Sequence, residues 1–314
     1  MNRSTVGYRY VIGVDLGATT VRAALFSVEG RIGNRLETRF APSGSGEEDR
    51  AAFFRVLEDL LAGEKRSGLL AVGIGSFGPL DRERTRIEEA PNRPSWKHYP
   101  LREAVEERLA APVIVENDAN AATFGEFRRG AGKGAESLLG LTVGTGIGGG
   151  FVSEGKILVG AWGNAGEFGH MYVGGEGVRC RCGALDCLET YASAEGIKRA
   201  YRSRAAGDPS LSCHGIFHLA RSGDRIAVET IETAARLLGR AIASLQKAFD
   251  PERIVIGGGL SRERDLLVEP AIREAREQVF PAQRERFQAF PAALGPDAGL
   301  VGAAELALEI AENR

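Results

Sequence analysis

The chain has 314 residues, 43% of them hydrophobic and 26% charged, and a formal net charge of −2. That composition belongs to a globular protein with room for two cored domains. A balance so near neutral speaks against nucleic acid or an anionic membrane as the main partner, and no apolar run is long enough to span a bilayer.

The start, M-N-R-S-T-V, carries no apolar leader, and four cysteines fit a reducing, cytoplasmic setting. Tyr10 to Asp15 (Y-V-I-G-V-D) reads as a buried strand. A glycine loop, L-G-A-T-T, and a second apolar run, V-R-A-A-L-F-S-V, follow it. A turn at Glu29-Gly30 leads to a polar-edged strand. Glu48 to Ala62 has helical apolar spacing through Ala52, Phe53, Val56, Leu57, Leu60 and Leu61. Leu69 to Gly75 is a strand closed by S-F-G-P-L-D, and the charge-rich stretch from Asp81 to Glu89 reads as a solvated loop. Leu101 to Ala110 is a helix and Pro112 to Glu116 a strand. At Asn117-Asp118 that strand gives way to a helix running to about Arg129.

The pattern then restarts. Ser137 to Val143 is a strand, Gly144 to Gly150 (G-T-G-I-G-G-G) a glycine loop, and Phe151 to Val159 a returning hairpin with its turn at Glu154-Gly155. Both units run strand, Gly/Thr loop, strand, then a Glu-Gly-basic-Ile turn, which points to an internal duplication. Arg225 to Phe249 is a long amphipathic helix, Arg253 to Ile256 a strand entering Gly257-Gly258-Gly259, and Ala298 to Ile310 a closing helix. The pattern predicts two α/β lobes with mixed sheets, at 1–120 and 121–297, with the closing helix (298–314) joining the first.

The two Gly/Thr loops, Gly17-Ala18-Thr19-Thr20 and Gly144-Thr145-Gly146, suit phosphate. Backbone N–H groups freed at glycine can converge on phosphate oxygens, and threonine hydroxyls add donors. Neither is a Walker A, because no Gly-Lys-Ser/Thr follows. Asp118, at the carboxyl end of a strand, is the candidate general base, with an N-cap role as the plain alternative. Asp15 beside the first loop would repel phosphate unless a divalent cation stands between them, which assigns it to Mg²⁺. Gly258 and Gly259 allow close approach to a flat ligand such as adenine, or form an ordinary strand-to-helix turn.

Between Glu167 and Glu189 the chain places His170, Cys180, Cys182 and Cys187, the ligand set of a closed Cys3His zinc site. Cys180 and Cys182 are too close in sequence for a comfortable disulfide, and no second pair stands at zinc-finger spacing. Cys213 has no partner in the sequence.

These motifs together resemble the ROK family of sugar kinases, in the actin–hexokinase superfamily. D-L-G-A-T-T resembles its first phosphate motif, E-N-D-A-N its catalytic strand end and G-T-G-I-G-G-G its second phosphate motif. A-G-E-F-G-H resembles its sugar-contacting segment, and C-R-C-G-A-L-D-C-L-E its C-x-C-G-x-x-G-C-x-E zinc motif. A-P-N-R-P-S-W and V-E-N-D-A-N-A-A are most similar to the ROK glucokinases, whereas G-I-G-S-F-G-P-L-D is similar to some ROK fructokinases.

The resemblance implies a two-lobed, ribonuclease H-like α/β fold with an interlobe cleft, ATP with Mg²⁺ as donor, structural Zn²⁺, and a cytoplasmic homodimer. It implies Asp118 as base and Gly78, Asn92, Asn117, Asp118, Glu167, His170 and Glu189 as hexose contacts, with glucose favoured. Other hexoses (fructose, mannose, N-acetylglucosamine, N-acetylmannosamine) are the alternatives.

Two positions depart from the family pattern. Asp186 stands where the zinc motif has glycine, and aspartate is one of the few residues that would tolerate a positive φ there. Thr20 stands where lysine or asparagine is common, so the phosphates lack a lysine's charge. A DNA-binding ROK regulator is the rival reading. It would need a winged-helix head, and only 14 residues precede Asp15. An ATPase without a sugar substrate would have no use for the Glu167, His170 and Glu189 cluster.

Overall fold

The structure, a computed structural model, describes residues 9–39, 46–90, 93–205 and 210–312. The chain divides into two compact units. The first comprises Met1–Gly130, Ile157–Ala165 and Asp297–Arg314, and the second Ala131–Lys156 and Gly166–Pro296.

In the first unit a five-stranded sheet has the order β3-β2-β1-β4-β5. Strand β1 is Tyr10–Leu16, β2 Thr20–Ser27, β3 Ile32–Arg39, β4 Leu69–Ser76 and β5 Val113–Asn117. β1 runs antiparallel to β2 and parallel to β4, which runs parallel to β5. The sheet is mixed, as the apolar runs implied. Val11, Ile12, Val14 and Leu16 of β1 are all fully buried, as a central strand covered on both faces must be.

One cover is helix α1 (Gly46–Leu60), whose Phe53, Val56, Leu57 and Leu60 join the β1 side chains in one core. Helices α2 (Leu101–Leu109) and α3 (Asp118–Arg129) flank β5 in sequence. A closing helix at Ala298–Glu312, rich in alanine and glycine, packs on α3, β4 and β1.

The second unit repeats the plan. Strand β6 is Ser137–Val143, β7 Ile147–Ser153, β8 Lys156–Ile157, β9 Arg253–Gly257 and β10 Ala289–Pro291. Their order is β10-β9-β6-β7-β8. β6 is antiparallel to β7 and parallel to β9, and β9 is parallel to β10. Each sheet is thus an N-terminal hairpin extended by a third strand on one side and two parallel strands on the other. The duplication read from the two Gly/Thr hairpins extends to the whole sheet topology.

Helix α4 is Glu189–Ala192, α5 Ala194–Arg202, α6 Cys213–Arg221, α7 Arg225–Phe249 and α8 Glu269–Gln278, and the closing helix of the first unit is α9. Side chains of α7 (Ile231, Leu238, Ile242, Leu245) meet Leu139 and Leu141 of β6 and Ile254 and Ile256 of β9 in a second core. Among the described residues no helix is long and apolar enough to cross a membrane.

One expectation is corrected. The second glycine loop is three residues, not seven, because Ile147 to Gly150 pair with β6 in register, Ile147 with Val143 and Gly150 with Gly140. Their backbone groups serve the sheet, which leaves Gly144-Thr145-Gly146 as the turn.

Candidate active site and metal cluster

The junction of β5 and α3 carries Asn117 and Asp118. Asn117 is the helix cap: its Oδ1 accepts from Ala119 N at 3.0 Å and Asn120 N at 3.3 Å. The plain capping role therefore falls to Asn117, and Asp118 is the first helical residue. Oδ1 is thus committed to the cap, and the donors of Asn117 lie on its other amide atom, Nδ2.

Behind the turn lies a buried carboxylate, Glu116. It accepts from Asn117 N at 2.8 Å, Asn120 Nδ2 at 2.9 Å and Arg84 Nε at 2.6 Å. Asn120, 2% exposed, is thus part of the frame and not of a binding surface. Arg84 comes from the charge-rich stretch expected to be a solvated loop. That stretch instead sends Arg84 inward, its side chain 13% exposed. Three charge-assisted bonds on one carboxylate fix the backbone from which Asp118 projects.

The first glycine turn closes between β1 and β2, with Gly17 N donating to Thr20 O at 2.9 Å. Asp15 at the end of β1 faces Arg22 across the hairpin, Oδ2 to Nη1 3.4 Å. Burial pushes the Asp15 carboxyl above its ordinary range and the Arg22 guanidinium opposes the shift. Arg22 lies two residues beyond Thr20, on the same face of β2. A positive charge therefore stands near the turn, displaced by one strand period from the position where lysine is common. The sequence contained Arg22, but only the hairpin register puts it against Asp15.

Ala18 O accepts from Arg93 Nε at 2.7 Å, and Arg93 Nη1 meets Asp49 Oδ2 of α1 at 2.7 Å. The two side chains are 4% and 7% exposed. Removing the guanidinium from such a buried pair costs about 3–5 kcal/mol, so Arg93→Ala should shift the urea unfolding midpoint sharply downward. Gly78, beyond β4, has φ +79°. Asn92 lies outside the described residues.

In the second unit the turn Gly144-Thr145-Gly146 is closed by Gly144 N donating to Gly146 O at 2.9 Å. Thr145 is exposed. A Cβ placed on Gly144 would stand 3.8 Å from the Gly259 amide nitrogen, so the second glycine turn and the Gly258-Gly259 corner are neighbours. Gly258 follows β9 and precedes the short 3-10 turn Gly259–Arg262. Glu189, at the start of α4, accepts from Ile147 N at 2.9 Å through Oε2.

Glu167 precedes a 3-10 turn, Phe168–His170. His170 Nε2 lies 3.9 Å from Glu167 Oε2, and His170 Nδ1 lies 3.6 Å from Cys180 Sγ. One ring nitrogen therefore faces a carboxylate and the other a thiol. The ligand atoms of His170, Cys180, Cys182 and Cys187 all lie within 4.8 Å of one another, and the Cys182 and Cys187 sulfurs are 3.6 Å apart. Sulfurs around a tetrahedral zinc with bonds of about 2.3 Å stand about 3.8 Å apart, so the spacing fits that ion. Burial and the neighbouring thiols push Cys187 up to about 12. Three thiols and an imidazole crowded this closely are what a dication would gather and hold. The four cysteines are free of disulfides. Cys213, buried at the start of α6, stands outside the cluster.

Asp186 adopts φ +54°, the conformation that suits the family's glycine and that aspartate tolerates. Its carboxylate also does more than tolerate the turn. It accepts from Val178 N at 2.7 Å, from Gly177 N at 3.2 Å and from the Tyr191 hydroxyl. Those donors, the hydroxyl first, hold the carboxyl below its usual range.

Two mixed five-stranded sheets of one topology, each with a glycine turn in its first hairpin, define the hexokinase-like two-domain fold. The ROK family profile matches residues 11–310, and the chain belongs to the ROK family. A glucokinase of Halalkalibacterium halodurans is 37% identical, over 94% of this chain and 93% of its own length. An N-acetylmannosamine kinase of Escherichia coli is 34% identical, over 94% of this chain and 97% of its own. The crystal structure of a ROK glucokinase from Streptomyces griseus, in complex with glucose and AMPPNP, superposes with a TM-score of 0.80. It is 37% identical and covers 96% of this chain and 99% of its own.

Proposed function

We propose that the chain is an ATP-dependent hexose kinase that phosphorylates the primary hydroxyl of glucose to give glucose 6-phosphate. The observation that carries the reading is whole-chain likeness to a glucokinase that holds glucose and AMPPNP. The local chemistry is compatible with it. Asp118 takes the proton of the attacking hydroxyl as the oxygen approaches the γ-phosphorus. Nδ2 of Asn117, the carboxylates of Glu167 and Glu189, and His170 hold the other hydroxyls. Carboxylates and amides suit a ring of hydroxyls because each hydroxyl both donates and accepts.

The backbone amides of Gly17 to Thr20 and of Gly144 to Gly146 receive phosphate oxygens, and Arg22 adds charge near the first turn. Magnesium entering with ATP would be met by Asp15, through water, and would neutralise developing phosphate charge. Zinc on His170, Cys180, Cys182 and Cys187 is structural. The four residues would fill its coordination, and the bound ion would fix the loop that carries the sugar contacts.

A second substrate, N-acetylmannosamine, is favoured by the relatives of that name. The test is coupled ADP release with ATP across a panel of hexoses and N-acetylhexosamines. Glucose should give the highest kcat/KM. A clear preference for an N-acetylated sugar would move the substrate and keep the kinase. No hexose-dependent ADP release from any sugar would overturn the reading.

A further inference from the structure

Neither glycine turn is a free-standing loop. In the second unit Glu189 Oε2 accepts from Ile147 N at 2.9 Å, immediately after the turn. A Cβ on Gly146 would come within 2.4 Å of that same oxygen, so glycine at this position is what lets the carboxylate seat against the turn. On the carbonyl side of Ile147, a Cβ on Gly169, between Glu167 and His170, would stand 2.0 Å from Ile147 O. Ile147 is thus gripped through its N–H by one sugar-contacting segment and lies against the other through its carbonyl. At the opposite end of the turn Gly144 O accepts from Ala194 N at 2.8 Å.

The first unit independently shows the same device. Arg93, next in sequence to Asn92, holds Ala18 O of the first turn. In each unit a charged side chain from a hexose-recognition motif props a phosphate turn.

We propose that Glu189 is a positioning residue for the second phosphate turn as well as a hexose contact, so that hexose occupancy sets nucleotide affinity. The proposal rests on the hexose-kinase reading. A carboxylate has acceptor capacity on both oxygens, so Oε2 can stay on Ile147 N while Oε1 takes a sugar hydroxyl. A hydroxyl on Oε1 fixes the carboxylate plane, and with it the N–H that orients the turn. By linkage, a nucleotide on the turn tightens the hexose by the same factor. An enzyme built this way engages ATP weakly until an acceptor is present, which limits transfer to water.

Calorimetric titration with AMPPNP separates this from a role in sugar binding alone. Sugar-free Glu189→Ala should bind the analogue about tenfold more weakly than wild type, the cost of one charge-assisted bond. Glu189→Gln, which keeps an acceptor oxygen, should stay close to wild type. Saturating glucose should tighten AMPPNP in wild type by at least about fivefold, and that gain should vanish in Glu189→Ala. Sugar-free affinity equal in all three proteins would overturn the proposal.

Hydrogen exchange on the wild type guards against a variant that misfolds. Glucose alone should protect the peptide containing Ile147, and unchanged exchange there would overturn the proposal equally. The two readings fail separately. Nucleotide affinity lost in Glu189→Ala, with no hexose consumed by the wild type, would retire the kinase and leave the strut.

Discussion

Asp118→Asn should lower kcat by about 10²–10⁴-fold, the range of general-base assistance, and leave glucose affinity nearly unchanged. Phosphoryl transfer depends mostly on positioning and charge stabilisation, so the residual rate should remain measurable above background. At the β5–α3 junction the cap and the frame of the turn come from other residues. The cap is supplied by Asn117, through Ala119 N and Asn120 N, and the frame by Glu116 on Asn117 N, Asn120 and Arg84. Neither arrangement uses the Asp118 carboxylate as cap. Loss of one negative charge in the first turn of the helix should cost about 0.3–1 kcal/mol of stability. Turnover by coupled ADP release, glucose binding by calorimetry and a thermal melt together decide the matter. Wild-type turnover would sink the assignment. A large drop in melting temperature with equal losses in turnover and glucose affinity would make Asp118 structural.

What could be read from the sequence follows from which features are local. The glycine turns, the Asn-Asp strand end and the cysteine cluster each occupy one contiguous stretch, and the two hairpins betray themselves by repeating. The supports of the site are long-range pairings. Arg93 reaches Ala18 over 75 positions and Arg84 reaches Glu116 over 32. Nothing in the charge-rich run from Asp81 to Glu89 marks Arg84 as the one that turns inward. Arg22 was visible as a residue, but its meeting with Asp15 depends on the β1–β2 register.

Helices α5 and α8 escaped for another reason, whereas α6 buries Cys213, Ile216, Phe217 and Ala220 at helical spacing and was legible in the sequence. α5 buries only Gly196, Ile197 and Tyr201, and α8 only Ala271 and Ala275, too few positions to give a 3.6-residue period. The readable signal of α5 is its cap, Ser193 accepting from Gly196 N, and α6 adds one of its own, Ser212 accepting from Gly215 N. The seven-residue glycine run misled because composition does not separate a phosphate turn from a strand whose glycines pair with a neighbour.

Asp186→Gly restores the residue that the family pattern has at this position, and it should nevertheless weaken zinc binding by about tenfold, the low end of the effect of losing outer contacts at a metal site, because the carboxylate holds the segments beside the ligands and bonds none of the ligands itself. At φ +54° glycine is fully at ease, so the substitution leaves the backbone unstrained and removes only the carboxylate. That carboxylate joins the peptide at Gly177 and Val178 to the Tyr191 hydroxyl. Tyr191 in turn accepts from Glu176 N at 2.9 Å. The backbone of Asp186 adds Val173 N to its carbonyl at 3.0 Å and donates to Val178 O at 2.8 Å. The segment running up to Cys180 and the segment carrying Cys187 are therefore tied together beside the cluster by contacts that need no metal.

Competition against a chromophoric chelator would measure the zinc affinity, and the ligand-field spectrum of the cobalt-substituted protein would report whether the tetrahedral site is distorted. Tyr191→Phe should reproduce part of the loss, and the double variant should lose less than the sum, because both act through one hydrogen bond. Asp186→Ala should be worse in stability by about 1–2 kcal/mol, the strain of a left-handed conformation on a residue with Cβ. Stripping zinc from the wild type should weaken glucose more than sugar-free AMPPNP. His170 belongs to both the cluster and the proposed sugar wall, whereas the Glu189 bond to Ile147 involves no metal ligand. Zinc affinity equal in wild type and Asp186→Gly would mean that the Asp186 carboxylate does not support the metal loop.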